Sequence, residues 1–177
     1  MIELRRTGET HRVKNIVSSM KQLAHVKMTW ETGVDLDLHA FAIDSEDEFV
    51  HVYYLDKTSY CKNIRLDFDA GVGNTPGRNE ENLIVNNISK VRKIIFVANI
   101  FRFFGNLFSS NEQFSKYDGK IHISAFNENI SVSLNSTQKG RWAVIAMINN
   151  ENGYTNFKNI NAILKYEPDI NYLMNLH

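Results

Sequence analysis

The sequence has a single cysteine, Cys61, which excludes an intramolecular disulfide and is typical of proteins in a reducing compartment. It contains no apolar run that approaches the ~20 residues needed to cross a bilayer. The first fifteen residues, MIELRRTGETHRVKN, carry charges but no apolar segment of the kind found in secretory signals. We therefore expect a cytoplasmic protein that does not insert directly into a membrane.

The chain also lacks an excess of charge of either sign, because 20 lysines and arginines balance 20 aspartates and glutamates. No overall field attracts it to nucleic acid or to an anionic membrane surface, so we expect no nucleic-acid partner. Its 177 residues, of which 43% are hydrophobic, are enough to bury one sizeable core. Since no linker-like stretch is visible, we expect residues 1–177 to form a single domain.

Short segments with alternating apolar and polar residues dominate the sequence and predict strands. The segment 34–43, VDLDLHAFAI, places Leu36 and Leu38 on one face and Asp35 and Asp37 on the other, because strand side chains alternate with period two. Polar turns separate the predicted strands: 25–30, 34–43, 49–55, 63–69, 93–101, 120–126, 130–134 and 141–148. This pattern favours an all-β fold, an antiparallel β-sandwich with short helices near the N- and C-termini. The predicted helical pieces lie at 14–23, 86–92, 109–117 and 156–167.

The sequence also predicts which residues lie in or near the core. Trp30 and Trp142 are expected in or near the core, since a buried aromatic ring contributes strongly to the stability of a sandwich. His39 and His51 are expected side by side on paired strands, but not as a metal-binding pair. The other residues expected in or near the core are Leu36, Leu38, Val52, Ile95, Val97, Ile123 and Ile145.

Residues 64–85, IRLDFDAGVGNTPGRNEENLIV, combine the end of a predicted strand, a glycine-rich loop and two adjacent glutamates. A dinucleotide-binding fingerprint does not fit, because Pro76 stands at the third glycine position and the chain does not alternate strands with helices. A Walker loop would need Gly-Lys-Ser/Thr, and an EF-hand starting at Asp67 would have Arg78 in place of its last glutamate. One cysteine and six scattered histidines give no zinc pattern, and no G-x-S-x-G elbow marks a nucleophile. We therefore expect no catalytic residue and no organic cofactor.

Oxygen ligands are the chemistry that remains available to this loop. Adjacent strands could bring together the carboxylates of Asp35, Asp37, Asp67, Asp69, Glu80 and Glu81. Glycines and Asn74 allow loop carbonyl and amide oxygens to turn inward, and calcium accepts six to eight hard oxygen ligands in irregular geometry. The residues alone leave two interpretations open: a calcium site, or solvated acidic turns at one end of a sandwich.

Six blocks of the sequence follow one another in a distinctive order. They are KMTWETGVDLDLHAFAI, FVHVYY, IRLDFDAGVGNTPGRNEENLIV, ISKVRKIIFVANIF, KIHISAF and KGRWAVIAMINN. In order and spacing they resemble the TerD-type tellurium-resistance and stress-response domain, including its Asp-Leu-Asp strand, its acidic glycine loop and its late Gly-x-Trp strand. The resemblance covers residues 22–150.

The resemblance implies a non-enzymatic, cytoplasmic, calcium-binding β-sandwich linked to tellurite, oxidative and phage stress. It also implies protein partners, among them membrane-associated stress proteins. Asp35 and Asp37 stand at the aspartates of Asp-Leu-Asp, Asp69 at the aspartate of Gly-Asp-Asn, and Glu80 and Glu81 at the acidic pair before an Ile/Val strand. The loop oxygens that complete the implied calcium site belong to Gly71, Gly73 and Asn74.

The loop departs from the family pattern in ways that weaken the implied site. Phe68 and Ala70 replace the glycine and asparagine that flank the aspartate of Gly-Asp-Asn, and Arg78 adds a positive charge. We therefore expect one calcium ion, bound with a dissociation constant of roughly 10⁻⁵ to 10⁻³ M. Two alternatives stay open. One is a metal-free interaction or structural protein on the same sandwich, with a phage-related protein as one example; the other is a metal-dependent hydrolase, for which no positioned nucleophile or histidine base is visible.

Overall fold

Two β-sheets packed face to face make up the part of the chain that the structure, a computed structural model, describes. The described residues are 1–14, 22–31, 34–68, 78–101 and 112–176. Within them the strands are β1 (Ile2–Leu4), β2 (Thr10–Lys14), β3 (Ala24–Glu31), β4 (Asp35–Asp44), β5 (Phe49–Val52), β6 (Ile64–Phe68), β7 (Arg78–Val85), β8 (Val91–Phe101), β9 (Lys120–Ala125), β10 (Glu128–Ser133), β11 (Trp142–Glu151) and β12 (Tyr154–Leu164). The same ranges contain one α-helix, α1 (Ile170–Met174), and 3₁₀ turns at Ile88–Lys90 and Phe114–Lys116. None of the helices in these ranges is long and apolar enough to cross a membrane.

Each sheet has six strands. The order is β1-β10-β9-β3-β7-β6 in the first sheet and β2-β12-β11-β8-β4-β5 in the second sheet. Neighbouring strands run antiparallel, except that β1 lies parallel to β10. The predicted all-β antiparallel sandwich is therefore confirmed.

The main core lies between the sheets and is filled by alternate residues of the facing strands. On β4, Leu36 and Leu38 belong to this core, so Asp35, Asp37 and His39 lie on the outer face of the second sheet. Trp30 is also buried in the core, as expected. The other residues confirmed there are Val52, Ile123 and Ile145.

A second apolar cluster covers part of the outer face of the second sheet. This outer cluster consists of Phe41, Ile95, Val97, Val144, Met147, Ile160 and Leu173. Ile95 and Val97, which were predicted in or near the core, are fully buried here and not between the sheets, and Trp142 is half-buried against the same cluster. The reason is that β8 is a central strand with apolar residues on both faces, so all five residues from Ile94 to Ala98 are buried.

The helix predicted at 156–167 is wrong, because most of this segment forms β12. The register between β12 and β11 shifts within β12, and Asn161 at this irregularity has a positive φ of 46°. Phe157 packs in the main core, whereas Ile160 packs in the outer cluster on the opposite face of β12. Because apolar residues lie on both faces of this strand, they are spaced three apart along the chain, and that spacing imitates the helical period.

The remaining helix predictions have mixed outcomes. A short helix does lie near the C-terminal end of the described residues, but it is α1, a few residues after the predicted segment. The pieces predicted at 86–92 and 109–117 coincide with the two 3₁₀ turns. The prediction at 14–23 falls largely on residues outside the described ranges.

Replacing Leu83 by alanine should lower the free energy of unfolding by about 2–5 kcal/mol, because this fully buried side chain of β7 would leave a cavity between the sheets. Urea denaturation measures the change. Leu55→Ala is the matched control, since Leu55 is 71% exposed, and it should change stability by no more than about 0.5 kcal/mol. Equal losses in the two variants would contradict the assignment of Leu83 to the core.

Candidate metal site at the edge of the second sheet

A buried carboxylate joins the two sheets. Glu81 lies on β7 of the first sheet, is 1% exposed and shares its face of the strand with the core residues Leu83 and Val85. Its Oε2 accepts a hydrogen bond of 2.6 Å from the backbone N–H of Leu38, on β4 of the second sheet. Hydrogen bonds to a carboxylate are stronger than those between neutral groups. Glu81 is therefore fixed at one position of β4.

The pairing of β4 explains why the N–H of Leu38 is available. β8 pairs with β4 along its whole length, whereas β5 pairs only from Ala40 to Ile43. Leu38 lies just before the β5 pairing begins, so its N–H points to an edge that β5 does not cover. A buried N–H without an acceptor costs ~1–3 kcal/mol, and the Glu81 carboxylate supplies the acceptor.

Asp37 places a second buried carboxylate on the same strand, on the outer face of the sheet. It is 6% exposed and directly precedes Leu38, so Glu81 binds the peptide N–H that immediately follows Asp37. Asp35 lies two residues earlier on the same face and is half-buried. Burial and then the negative charge of Asp37 raise the pKa of Tyr54, which indicates that the phenol lies within electrostatic reach of this carboxylate.

Glu80 points in the opposite direction. Since neighbouring residues of a strand alternate between faces, Glu80 lies on the outer face of the first sheet. There its Oε2 pairs with Nζ of Lys27 at 3.0 Å, and its Oε1 accepts a hydrogen bond from Asn82 at 3.3 Å. The structure therefore brings Glu81, and not Glu80, to the strand that carries Asp35 and Asp37.

The glycine loop of the sequence analysis falls on residues that the structure does not describe. Asp69, Gly71, Gly73 and Asn74 are all in this segment. Asp67, the last carboxylate before it, is exposed and forms an ion pair of 3.0 Å with Arg65. Among the described residues alone, no group of three or more His, Cys, Asp or Glu side chains could hold a metal ion.

The carboxylates near this part of β4 are of the kind that suits a hard cation. Asp37 and Glu81 offer carboxylate oxygens, with Asp35 nearby, and calcium prefers oxygen ligands of this type. A calcium ion needs six to eight of them, so the described residues supply only part of a ligand set. The rest would come from outside the described ranges or from water.

Trp30 holds the start of β4 in place. Its indole Nε1 donates a hydrogen bond of 2.8 Å to the carbonyl of Val34, and the ring itself is 2% exposed. Val34 directly precedes Asp35, so this bond fixes the backbone from which the two aspartates project. Trp30 is a core residue, as expected, but no pattern in the sequence indicates this positioning bond.

A ladder of stacked rings lies beside Asp37 on the outer face of the second sheet. The rings of Phe41 and His51 are 4.0 Å apart, those of His51 and Tyr53 are 4.4 Å apart, and Nδ1 of His39 lies 3.0 Å from Nε2 of His51. Burial lowers the pKa of His39 to about 3, with a further contribution from His51. Burial also lowers the pKa of His51 to about 4, although the charge of Asp56 opposes this shift. Both imidazoles are therefore neutral at pH 7, and the expected side-by-side arrangement is confirmed.

A polar cleft of about 370 Å³ opens at the turn that follows β4. Its wall includes Asp44, whose Oδ1 accepts from the backbone N–H groups of Glu46 and Glu48 and whose Oδ2 accepts from the hydroxyl of Tyr60 at 2.6 Å. The hydroxyl of Tyr60 is the main cause of the lowered pKa of Asp44. The Asp44 carboxylate therefore stabilises the turn through these hydrogen bonds. Cys61 is exposed on the same wall of the cleft.

Comparison with known proteins adds no assignment to this geometry. No protein-family model matches the chain, and no curated protein matches it. The fold is that of an all-β sandwich with two antiparallel-dominated sheets. Within this class of fold, the residues of the candidate site are the features that bear on function.

Replacing His51 by glutamine should reduce the loss of stability on acidification. The pKa of His51 is about 4 in the folded protein and ~6.5 in an unfolded chain, so between these values the unfolded chain binds a proton that the folded protein does not. Stability is therefore retained above pH 6.5 and falls as the pH drops toward 4. The measurement is the decrease in melting temperature from pH 7 to pH 5. His25→Gln, at an exposed position of β3, should behave like the unmodified protein, and equal decreases in all three would contradict the assignment.

Proposed function

We propose that this chain is a non-enzymatic calcium-binding module. The observation that carries the proposal is the buried carboxylate of Glu81 bound to the peptide that follows Asp37, itself a buried aspartate. Buried carboxylates are rare unless they are paired, hydrogen-bonded or bound to a cation. Two of them at neighbouring positions of β4 favour a site for a hard cation.

The proposed ligands come from two strands and one loop. Asp37 and Asp35 project from β4, and Glu81 reaches the same edge from β7. Glu81 is the member of the glutamate pair that we assign to the site, because Glu80 is engaged by Lys27 on the other face of the sheet. The resemblance adds one further set of proposed ligands from the loop: Asp69, Gly71, Gly73 and Asn74.

The chain's own residues would bind and orient the cation. Glu81 is held by the N–H of Leu38, and the start of β4 is held by the bond from Trp30 to Val34. Calcium would supply positive charge that offsets the repulsion between carboxylates. The neutral ring ladder next to Asp37 contributes no competing positive charge at pH 7.

The biological setting belongs to the proposal as well. A role in the stress response of the tellurium-resistance type, a cytoplasmic location and membrane-associated protein partners all rest on the family resemblance. Direct membrane insertion and nucleic-acid binding are not part of the proposed function.

A metal-free interaction or structural protein is the second candidate. It is favoured by the fact that Glu81 already has a structural task, since it accepts the N–H of Leu38 and links the sheets without a cation. On this alternative the aspartates of β4 are remnants of a site, and the sandwich acts through its surface.

Calcium binding should raise the melting temperature, because a ligand bound only by the folded state stabilises it in proportion to RT ln(1 + [L]/Kd). At a hundredfold excess over Kd the gain is about 2.7 kcal/mol, and with the expected Kd we anticipate a clear increase at 10 mM calcium. The measurement is thermal unfolding with calcium, with chelator, and with sodium at equal ionic strength. Asp37→Asn should remove most of the calcium-dependent increase.

Glu80→Gln is the matched control, because it changes the adjacent glutamate on the opposite face of β7. It should leave the calcium-dependent increase unchanged, whereas Glu81→Gln should reduce it and also lower stability in chelator. If calcium shifts the melting temperature of the unmodified protein no more than sodium does, the metal-free alternative replaces the calcium-binding proposal.

A further inference from the structure

The outer face of the second sheet has an apolar area that requires a cover. β8 and β11 are the central strands of this sheet, and both carry apolar residues on the face that points away from the main core. Ile95, Val97 and Val144 on this face are each 0% exposed. Antiparallel sheets commonly leave one face to solvent, so the burial of these residues means that another element packs on them.

The element that covers this face is a short piece of the same chain. We call residues 165–176 the cover segment; it contains α1, and Leu173 on α1 is 0% exposed within the outer cluster. Met174 and Leu176 pack against the same cluster. A helix of five residues is not stable alone, since isolated helices shorter than ~12–15 residues are marginal in water. The order of the cover segment therefore depends on its docking.

A lysine of the sheet fixes the end of the docked helix. Nζ of Lys93, on β8, donates hydrogen bonds to the carbonyl oxygens of Met174 at 2.8 Å and Leu176 at 2.9 Å. These carbonyls are at the C-terminal end of the helix, where a positive charge is favourable. Burial lowers the pKa of this lysine. The outer face thus offers apolar pockets and one cation at a defined place, which is a specific site for a short helix.

The connection between the cover segment and the sandwich is short and exposed to solvent. β12 ends at Leu164, and the next three residues, Lys165, Tyr166 and Glu167, are exposed. Tyr166 is 82% exposed. The path of this connection can therefore change without loss of contacts in either the main core or the outer cluster.

From these observations we propose that the outer face of the second sheet also binds the cover segment of a second copy of the chain, so that two copies exchange these segments and form a dimer. The bound segment makes the same contacts in the exchanged dimer as in the monomer, because the element is identical. Only the path of the connection and the protein concentration then decide between the two forms. For a short connection the effective concentration of the chain's own segment is on the order of millimolar, so exchange becomes appreciable near that concentration.

The unmodified protein tests the first consequence. Size-exclusion chromatography with light scattering should detect a dimer whose fraction rises between 10 µM and 1 mM. A protein that is entirely monomeric at 1 mM would overturn the proposal.

A shortened connection provides a sharper test. Deleting Tyr166 and Glu167 removes about 7 Å of reach, more than one 5.4 Å turn of helix, and this loss should prevent Leu173 from docking on its own sheet. The shortened protein should be dimeric already at 10 µM. Amide hydrogen exchange should show residues 170–176 as protected as in the unmodified protein. A shortened protein that remains monomeric would contradict reciprocal exchange.

A control separates exchange from simple adhesion of uncovered faces. Leu173→Asp in the shortened protein removes the apolar anchor of the cover segment but leaves the outer face of the sheet intact. Exchange requires the anchor, so this variant should return to a monomer at 10 µM. If it stays dimeric, the exposed faces associate directly and the proposal is wrong.

Discussion

The hydrogen bond from the N–H of Leu38 to Glu81 is the contact on which the arrangement of the candidate site depends. Apolar packing between the sheets has no direction and would tolerate small displacements of one sheet against the other. A hydrogen bond between a buried carboxylate and one particular N–H does not tolerate such displacements, because breaking it leaves the buried N–H without its acceptor. The same contact therefore orients the sheets and sets Glu81 beside the peptide that carries Asp37.

Glu81 is therefore important in both proposals: it links the sheets in the metal-free alternative, and it is a proposed ligand in the calcium-binding module. Glu81 binds the N–H of Leu38 with one oxygen, and the preceding residue, Asp37, is also buried. Without a cation, a buried carboxylate is costly in its charged form unless it is paired or hydrogen-bonded. With a cation, the ionised forms are favoured. The link between the sheets through Glu81 and Leu38 does not itself require a cation.

Alternation along the chain was enough to predict the sandwich and the two faces of β4, since Leu36 and Leu38 differ clearly from Asp35 and Asp37. It could not separate Glu80 from Glu81, because apolar residues follow on both faces of β7: Leu83 and Val85 share the face of Glu81, and Ile84 shares the face of Glu80. β12 was misassigned for a related reason. β12 carries apolar residues on both faces, with Phe157 in the main core and Ile160 in the outer cluster, and the packing of its outer face is a tertiary feature that no local pattern contains.

The outer face of the second sheet joins the cover segment to the surroundings of the candidate site through Trp142 and through Phe41, which belongs both to the outer cluster and to the ring ladder. Trp142 packs against the outer cluster, and its edge lies against His39, with ring centroids 5.0 Å apart, next to the aspartates of β4. Contact alone does not transmit a change between two places; an element with two distinct arrangements is needed. Exchange of the cover segment between two copies would reproduce the same packing around Trp142, so a dimer formed in this way should leave the candidate site as it is. Only undocking of the segment would alter the packing of Trp142 and, through it, the ring ladder beside Asp37. Glu81, which approaches from the other side of β4, would be shielded from that change by the main core.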